Sequence, residues 1–122
     1  MSTILVIDDD AAILQMLRRA LEHDRHTVQE AQDGSAGMQL YREQAFDLVI
    51  TDLYMPEQDG IETIQQLRDM DPACRILAIS GDVARGSGSA LRDARMLGAD
   101  AVLAKPFTVT ALLHIVRDLL AR

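Results

Sequence analysis

Residues 4–10 read Ile4-Leu5-Val6-Ile7-Asp8-Asp9-Asp10. Four consecutive apolar residues, three of them β-branched, form a strand buried on both faces, as in a parallel sheet. Three acids then end the strand abruptly. Outward from this stretch the same design recurs. Leu48-Val49-Ile50-Thr51 runs into Asp52, Ile76-Leu77-Ala78-Ile79 into Ser80, and Ala101-Val102-Leu103-Ala104 into Lys105. Thr27-Val28-Gln29-Glu30-Ala31 alternates instead, which fits an edge strand.

Helical stripes fill the intervals. Ile13, Leu14, Leu17 and Leu21 form the first; Ala36, Leu40 and Tyr41 the second; Ile61, Ile64 and Leu67 the third. Ala90, Leu91, Ala94 and Leu97 form the fourth, and Val109, Leu112, Leu113, Val116 and Leu120 the fifth and clearest. Asp10 and Thr108 suit helix starts, Gly98 suits the position after a helix end, and Asp71-Pro72 stops the third helix. A strand–helix pair repeated five times implies an α/β fold, with a parallel sheet, helices on both faces and right-handed crossovers. Arg85-Gly86-Ser87-Gly88-Ser89 reads as a mobile loop.

Composition narrows the function classes. The chain has 122 residues, with 12 Lys plus Arg against 19 Asp plus Glu, a net charge of −7. That length suits one domain and needs no disulfide to fold. The acidic balance, the lack of a basic stripe and the absence of Trp argue against an autonomous nucleic-acid binder. One cysteine, Cys74, makes no internal disulfide and no zinc site, which suggests a reducing cytosol. No eighteen-residue apolar run and no leader is visible, so neither a membrane span nor a signal peptide is expected. His23, His26 and His114 are expected at the surface or at helix ends, and Met16, Met38, Met70 and Met96 as core filler. Arg85, Arg92 and Arg95 make the region of the fourth stripe locally basic, most simply as a solvated face.

Open parallel sheets bind ligands beyond the carboxyl ends of their strands, at the point where strand order reverses. If the first and third strands are neighbours there, Asp8, Asp9 and Asp52 meet Ser80 and Lys105. Singly these residues have ordinary explanations: a helix cap for Asp8-Asp9, a turn for Asp52, a loop-capping hydroxyl for Ser80, a solvated charge for Lys105. Jointly they suit phosphoryl transfer. A carboxylate is the nucleophile, Mg²⁺ and an ammonium neutralise charge, and a hydroxyl donates to a phosphoryl oxygen. Three acids against one lysine leave −2 in the pocket, a charge that a divalent cation balances.

From about Ile4 to Leu120 the chain resembles the receiver domains of two-component response regulators. The resemblance rests on Val6-Ile7-Asp8-Asp9-Asp10, on Asp47-Leu48-Val49-Ile50-Thr51-Asp52-Leu53-Tyr54-Met55-Pro56, and on Asp59-Gly60-Ile61-Glu62. Ile79-Ser80-Gly81, Gly98-Ala99-Asp100 and Lys105-Pro106-Phe107 complete it. It implies a flavodoxin-like (βα)5 fold with strand order 2-1-3-4-5. It implies that Asp52 accepts a phosphoryl group from a phosphohistidine on a sensor kinase or a phosphotransfer protein. Asp9 matches the direct Mg²⁺ ligand, Asp8 its water-mediated partner, and Tyr54 the position whose backbone carbonyl completes the shell. Lys105 resembles the lysine that pairs with the phosphoryl group, and Ser80 the hydroxyl that moves toward it. The peptide before Pro106 is expected to be cis, and Gly81 to leave room beside the phosphoryl group.

The implied role is a cytoplasmic signalling switch rather than a metabolic enzyme. Phosphorylation would bias a surface formed by the fourth and fifth helices and the fifth strand, and would decay by hydrolysis. Residues 1–122 are expected to be a single stand-alone receiver with no output domain, acting on an unknown downstream protein without membrane insertion or direct nucleic-acid binding. Two departures from the family pattern stand out. Val102 occupies the place where many receivers carry Tyr or Phe, so the aromatic part of the switch is missing. The segment from Ser80 to Gly98 is a few residues longer than usual, which suggests that ordering of that segment carries the output. Two other classes remain: a docking module independent of phosphorylation, and a Mg²⁺-dependent aspartyl-phosphate phosphohydrolase. The second commonly needs an acid two residues after the nucleophile, where this chain has Tyr54.

Overall fold

The computed structural model describes residues 2–53, 60–81 and 98–122. Its strands are β1 (Thr3–Ile7), β2 (Thr27–Ala31), β3 (Leu48–Asp52), β4 (Ile76–Ser80) and β5 (Ala101–Ala104). All pair in parallel, in the order β2-β1-β3-β4-β5. The described helices are α1 (Ala11–His23), α2 (Gly34–Glu43), α3 (Gly60–Met70) and α4 (Val109–Ala121). The helix expected over the stripe from Ala90 to Leu97 and the loop Arg85–Ser89 lie outside the described residues, as do Tyr54, Arg92, Arg95 and Met96.

Period-two alternation divides each central strand between two cores. Leu5, Ile7, Val49, Ile76 and Ala78 face one side, where Met38, Ile64 and Leu67 of α2 and α3 cover them. Ile4, Val6, Leu48, Ile50 and Leu77 face the other, under Leu14, Leu17 and Leu21 of α1 and Leu112 and Val116 of α4. β3 and β4 are buried at every position, which explains their unbroken apolar runs.

β5 departs from the expectation of full burial: all four of its residues are only half-buried. Its apolar sequence matches that of the central strands, but its place at the sheet edge leaves it, among the described residues, one strand neighbour, β4. β2, the other edge, alternates as expected, with Val28 and Ala31 buried.

The helix ends follow local chemistry. The Asp10 side chain accepts from the Ala12 amide at 2.9 Å and caps α1; Thr108 accepts from the Ala111 amide at 3.0 Å and caps α4. Asp33 caps α2 through the Ala36 amide at 2.7 Å, a cap not singled out in the sequence. α3 stops at Met70, before Asp71-Pro72. Gly98 has φ of +121°, which a side-chain-bearing residue rarely adopts.

Met70 and His26 sit differently from expectation. Met70 is exposed, because it falls on the solvent side of the last turn of α3. The His26 side chain is largely buried. Its Nδ1 accepts from the Ser2 amide at 3.3 Å, because the chain turns back beneath α1 to enter β2. Cys74 is buried against the α2–α3 side of the sheet.

Candidate functional site

The strand order places the ends of β1 and β3 side by side, so each strand delivers its acid to the same edge. Asp8 follows β1 and is 1% exposed; Asp52 closes β3 and is 6% exposed. Asp9 is exposed beside them. These three carboxylates each offer an oxygen, and all three oxygens lie within 4.8 Å of one another. Lys105, just after β5, reaches across β4 to close the group. Its Nζ stands 3.3 Å from Asp8 Oδ2 and 3.3 Å from Asp52 Oδ1.

Local hydrogen bonds fix the members. The Asp10 amide donates to Asp8 Oδ1 at 2.9 Å, so one carboxylate oxygen serves the start of α1 and the other serves Lys105. The Lys105 amide donates to the Ser80 carbonyl at 2.8 Å and extends the β4–β5 pairing to the site. Ser80 is buried at the end of β4, in register with Ala104. The peptide between Lys105 and Pro106 is cis. Gly81 leaves space: a methyl there would meet only the Lys105 Cβ, at 3.9 Å. Val102 pairs with Ala78, one strand neighbour from Thr51, and packs against the α2–α3 core. Tyr54, expected to offer its carbonyl, lies outside the described residues.

Electrostatics match the crowding. Burial lifts the Asp52 carboxyl to about 6, with the Asp8 charge adding to the lift and Lys105 opposing it. Burial also raises Asp8, against the Asp10 amide and Lys105. Burial disfavours the Lys105 ammonium, yet Asp52 and Asp8 together outweigh it and hold the group above its ordinary range. The site is therefore rich in negative charge and only partly compensated. Three hard oxygen donors at this separation fit Mg²⁺, which typically takes one or two carboxylates and keeps several waters.

A family model described as the response regulator receiver domain matches residues 4–117. The chain belongs to this family. The receiver domain is 40% identical over 119 residues to response regulator MprA of Mycolicibacterium vanbaalenii, covering 98% of this chain and 50% of that one. It is 36% identical to MprA of Mycobacterium leprae, with coverage of 98% and 51%. It thus spans about half the length of the curated relatives it matches.

Among solved structures, a putative response regulator from Chloroflexus aurantiacus superimposes with a TM-score of 0.92 at 29% identity, covering 99% of this chain and 98% of that one. Chemotaxis protein CheY4 of Vibrio cholerae gives 0.89 at 26% identity, with 98% coverage of each. The receiver domain is a signalling domain of the two-component type rather than a metabolic enzyme. Among its described residues no helix is long and apolar enough to cross a membrane.

Thr51 and Gly60, next to the site, and Arg68, at the far ends of β4 and β5, were not assigned a role from sequence. Thr51 and Gly60 touch the main chain of Asp52. The signals were a hydroxyl in an otherwise apolar strand and a glycine at the start of α3. Arg68 holds the turn that leads into β5. An arginine near a helix end carries no such signal, because most are solvated.

Proposed function

We propose that this receiver domain is a phosphorylation-dependent switch of a cytoplasmic two-component pathway, with Asp52 as the phosphoacceptor. The observation that carries the proposal is the triangle of Asp8, Asp52 and Lys105, with Asp9 at its open side. Asp52 closes β3 at the position that matches the family's phosphoacceptor, buried beside Asp8 and Lys105.

In the proposed step an Asp52 carboxylate oxygen attacks the phosphorus of a phosphohistidine on a kinase or phosphotransfer protein. The O–P bond forms, the N–P bond breaks, and its electron pair stays on the imidazole nitrogen, which takes up a proton. Lys105 stands where it neutralises charge on the incoming group, and Ser80 offers a hydroxyl from the neighbouring strand. Asp8, Asp9 and Asp52 would hold Mg²⁺, with the Tyr54 carbonyl as a further donor. When bound, Mg²⁺ supplies positive charge against the phosphoryl oxygens. Gly81 keeps the approach open. Hydrolysis reverses the state: water attacks phosphorus, the acyl O–P bond breaks, phosphate leaves and the Asp52 carboxylate returns.

The new dianionic group bonds to Lys105 and Ser80 and so pulls on the loops after β4 and β5. With Val at 102, the switch reaches a protein partner without an aromatic flip. Intact mass after incubation with Mg²⁺ and a small phosphodonor tests the assignment, with Asp52→Asn alongside. The expected result is one phosphoryl group on the wild type and none on the variant. A gain that survives the substitution sinks Asp52 as the acceptor.

A further inference from the structure

Two contacts behind Asp52 have no part in the chemistry above. Thr51 is fully buried, and its Oγ1 donates to the Asp52 carbonyl oxygen at 3.1 Å. Gly60, the first residue of α3, presses on the same peptide. A methyl on Gly60 would lie 2.0 Å from the Asp52 carbonyl oxygen, 2.6 Å from Leu53 Cα and 2.8 Å from the Asp52 carbonyl carbon. All three are main-chain atoms, which cannot rotate aside as a side-chain tip does. The Gly60 amide also donates to the Leu53 carbonyl at 3.0 Å. A hydroxyl and a helix start thus hold one peptide between them.

The choice of threonine asks for an explanation. By strand alternation Thr51 shares the face of Val49, which packs with Ile64 and Leu67 of α3. Valine has the same shape, favours strands equally, and brings no hydroxyl to bury. The threonine is instead used where its hydroxyl meets the carbonyl of the next residue, and that residue carries the carboxylate. Among the described residues, Lys105 Nζ meets Asp52 Oδ1 from the front at 3.3 Å. Thr51 and Gly60 meet the residue from behind, through its main chain.

We propose that Thr51 and Gly60 are positioning residues for phosphoryl transfer: together they clamp the Asp52 carbonyl and set where its carboxylate stands relative to Asp8, Asp9 and Lys105. The proposal rests on Asp52 being the phosphoacceptor. A displacement of about 1 Å at a reacting group costs on the order of a hundredfold in rate, so the clamp acts on rate more than on folding.

The test measures phosphoryl incorporation at saturating Mg²⁺ and small phosphodonor, per folded molecule, together with the thermal midpoint. Thr51→Val keeps the volume and loses the hydroxyl; Thr51→Ser keeps the hydroxyl and loses a core methyl. The expected rate falls about fivefold for Thr51→Val, stays within about twofold of wild type for Thr51→Ser, and falls about a hundredfold for Gly60→Ala. The thermal midpoint is expected to drop for Thr51→Ser even though its rate holds. A Thr51→Val rate equal to wild type overturns the clamp, as does a Thr51→Ser rate as low as that of Thr51→Val, since packing would then explain both. If Gly60→Ala does not fold, the Thr51 pair decides the matter. A wild type that takes up no phosphoryl group defeats the phosphoacceptor reading itself, whereas normal uptake by every variant defeats the clamp alone.

Discussion

Burial lifts the Asp52 carboxyl to about 6, and the Asp8 charge beside it adds to the lift while Lys105 opposes it. The ordinary value in an unfolded chain is near 4. The folded state therefore disfavours the ionised form. Below about pH 4 both states hold the proton and nothing is lost; between about 4 and 6 the unfolded chain ionises first and stability falls; above about 6 the loss is constant. Its size is on the order of 1–3 kcal/mol. Asp52→Asn removes the charge and keeps the shape, so its thermal midpoint should exceed that of wild type by several degrees at pH 8, with the gap closing by pH 4. A gap of equal size at both pH values would show that the carboxylate is not the cause. The same ionisation supplies the nucleophile, so phosphoryl uptake should decline as pH drops through about 6.

Helix starts and sheet edges show how short segments settle their neighbours. α4 begins three residues after Pro106, and the Thr108 hydroxyl satisfies the Ala111 amide there. Thr108→Ala should cost about 1 kcal/mol, read as a lower denaturant midpoint with unchanged slope. No change would mean that water satisfies the amide as well. Asp10 does double duty: its side chain caps α1 while its amide holds Asp8, so helix and site share one residue. β5 carries Lys105 from the sheet edge, where β4 is its one strand partner among the described residues. That position explains why its residues are half-buried although their sequence matches a central strand.

Across the molecule, Arg68 joins parts that are distant in sequence. Its guanidinium donates to the Gly98 carbonyl at 3.2 Å, the Pro72 carbonyl at 2.8 Å and the Cys74 carbonyl, and it pairs with Asp100 at 3.0 Å. Asp100 Oδ2 in turn accepts the Ile76 amide at 2.8 Å. One side chain thus ties the end of α3 to the entrances of β4 and β5. Lysine offers a compact ammonium and cannot serve these acceptors together. Arg68→Lys should therefore destabilise the fold by about 1–3 kcal/mol, seen in chemical denaturation. A loss as small as that of an exposed arginine would show that the network contributes little.

Alternation of apolar runs with helical stripes made the α/β class legible, because burial on both faces leaves a strand few polar positions before its carboxyl end. The acids, the hydroxyl and the lysine were legible too, since each stands where an apolar run stops. Helix caps at Asp10 and Thr108 follow from local hydrogen bonding and needed no tertiary information. Other features depend on what lies across the fold. The half-burial of β5 reflects its neighbours, which a run of apolar letters does not name. The buried His26 and the exposed Met70 depend on how the chain packs after α1 and α3. The 3.3 Å contacts of Lys105 join residues 97 and 53 positions apart in the chain, and the press of Gly60 on Asp52 joins two elements through main-chain atoms. Side-chain chemistry and its periodicity are properties of the chain itself and are readable in one dimension. Distances between strand ends arise only when the sheet assembles, and those distances make a set of separate polar residues into a site.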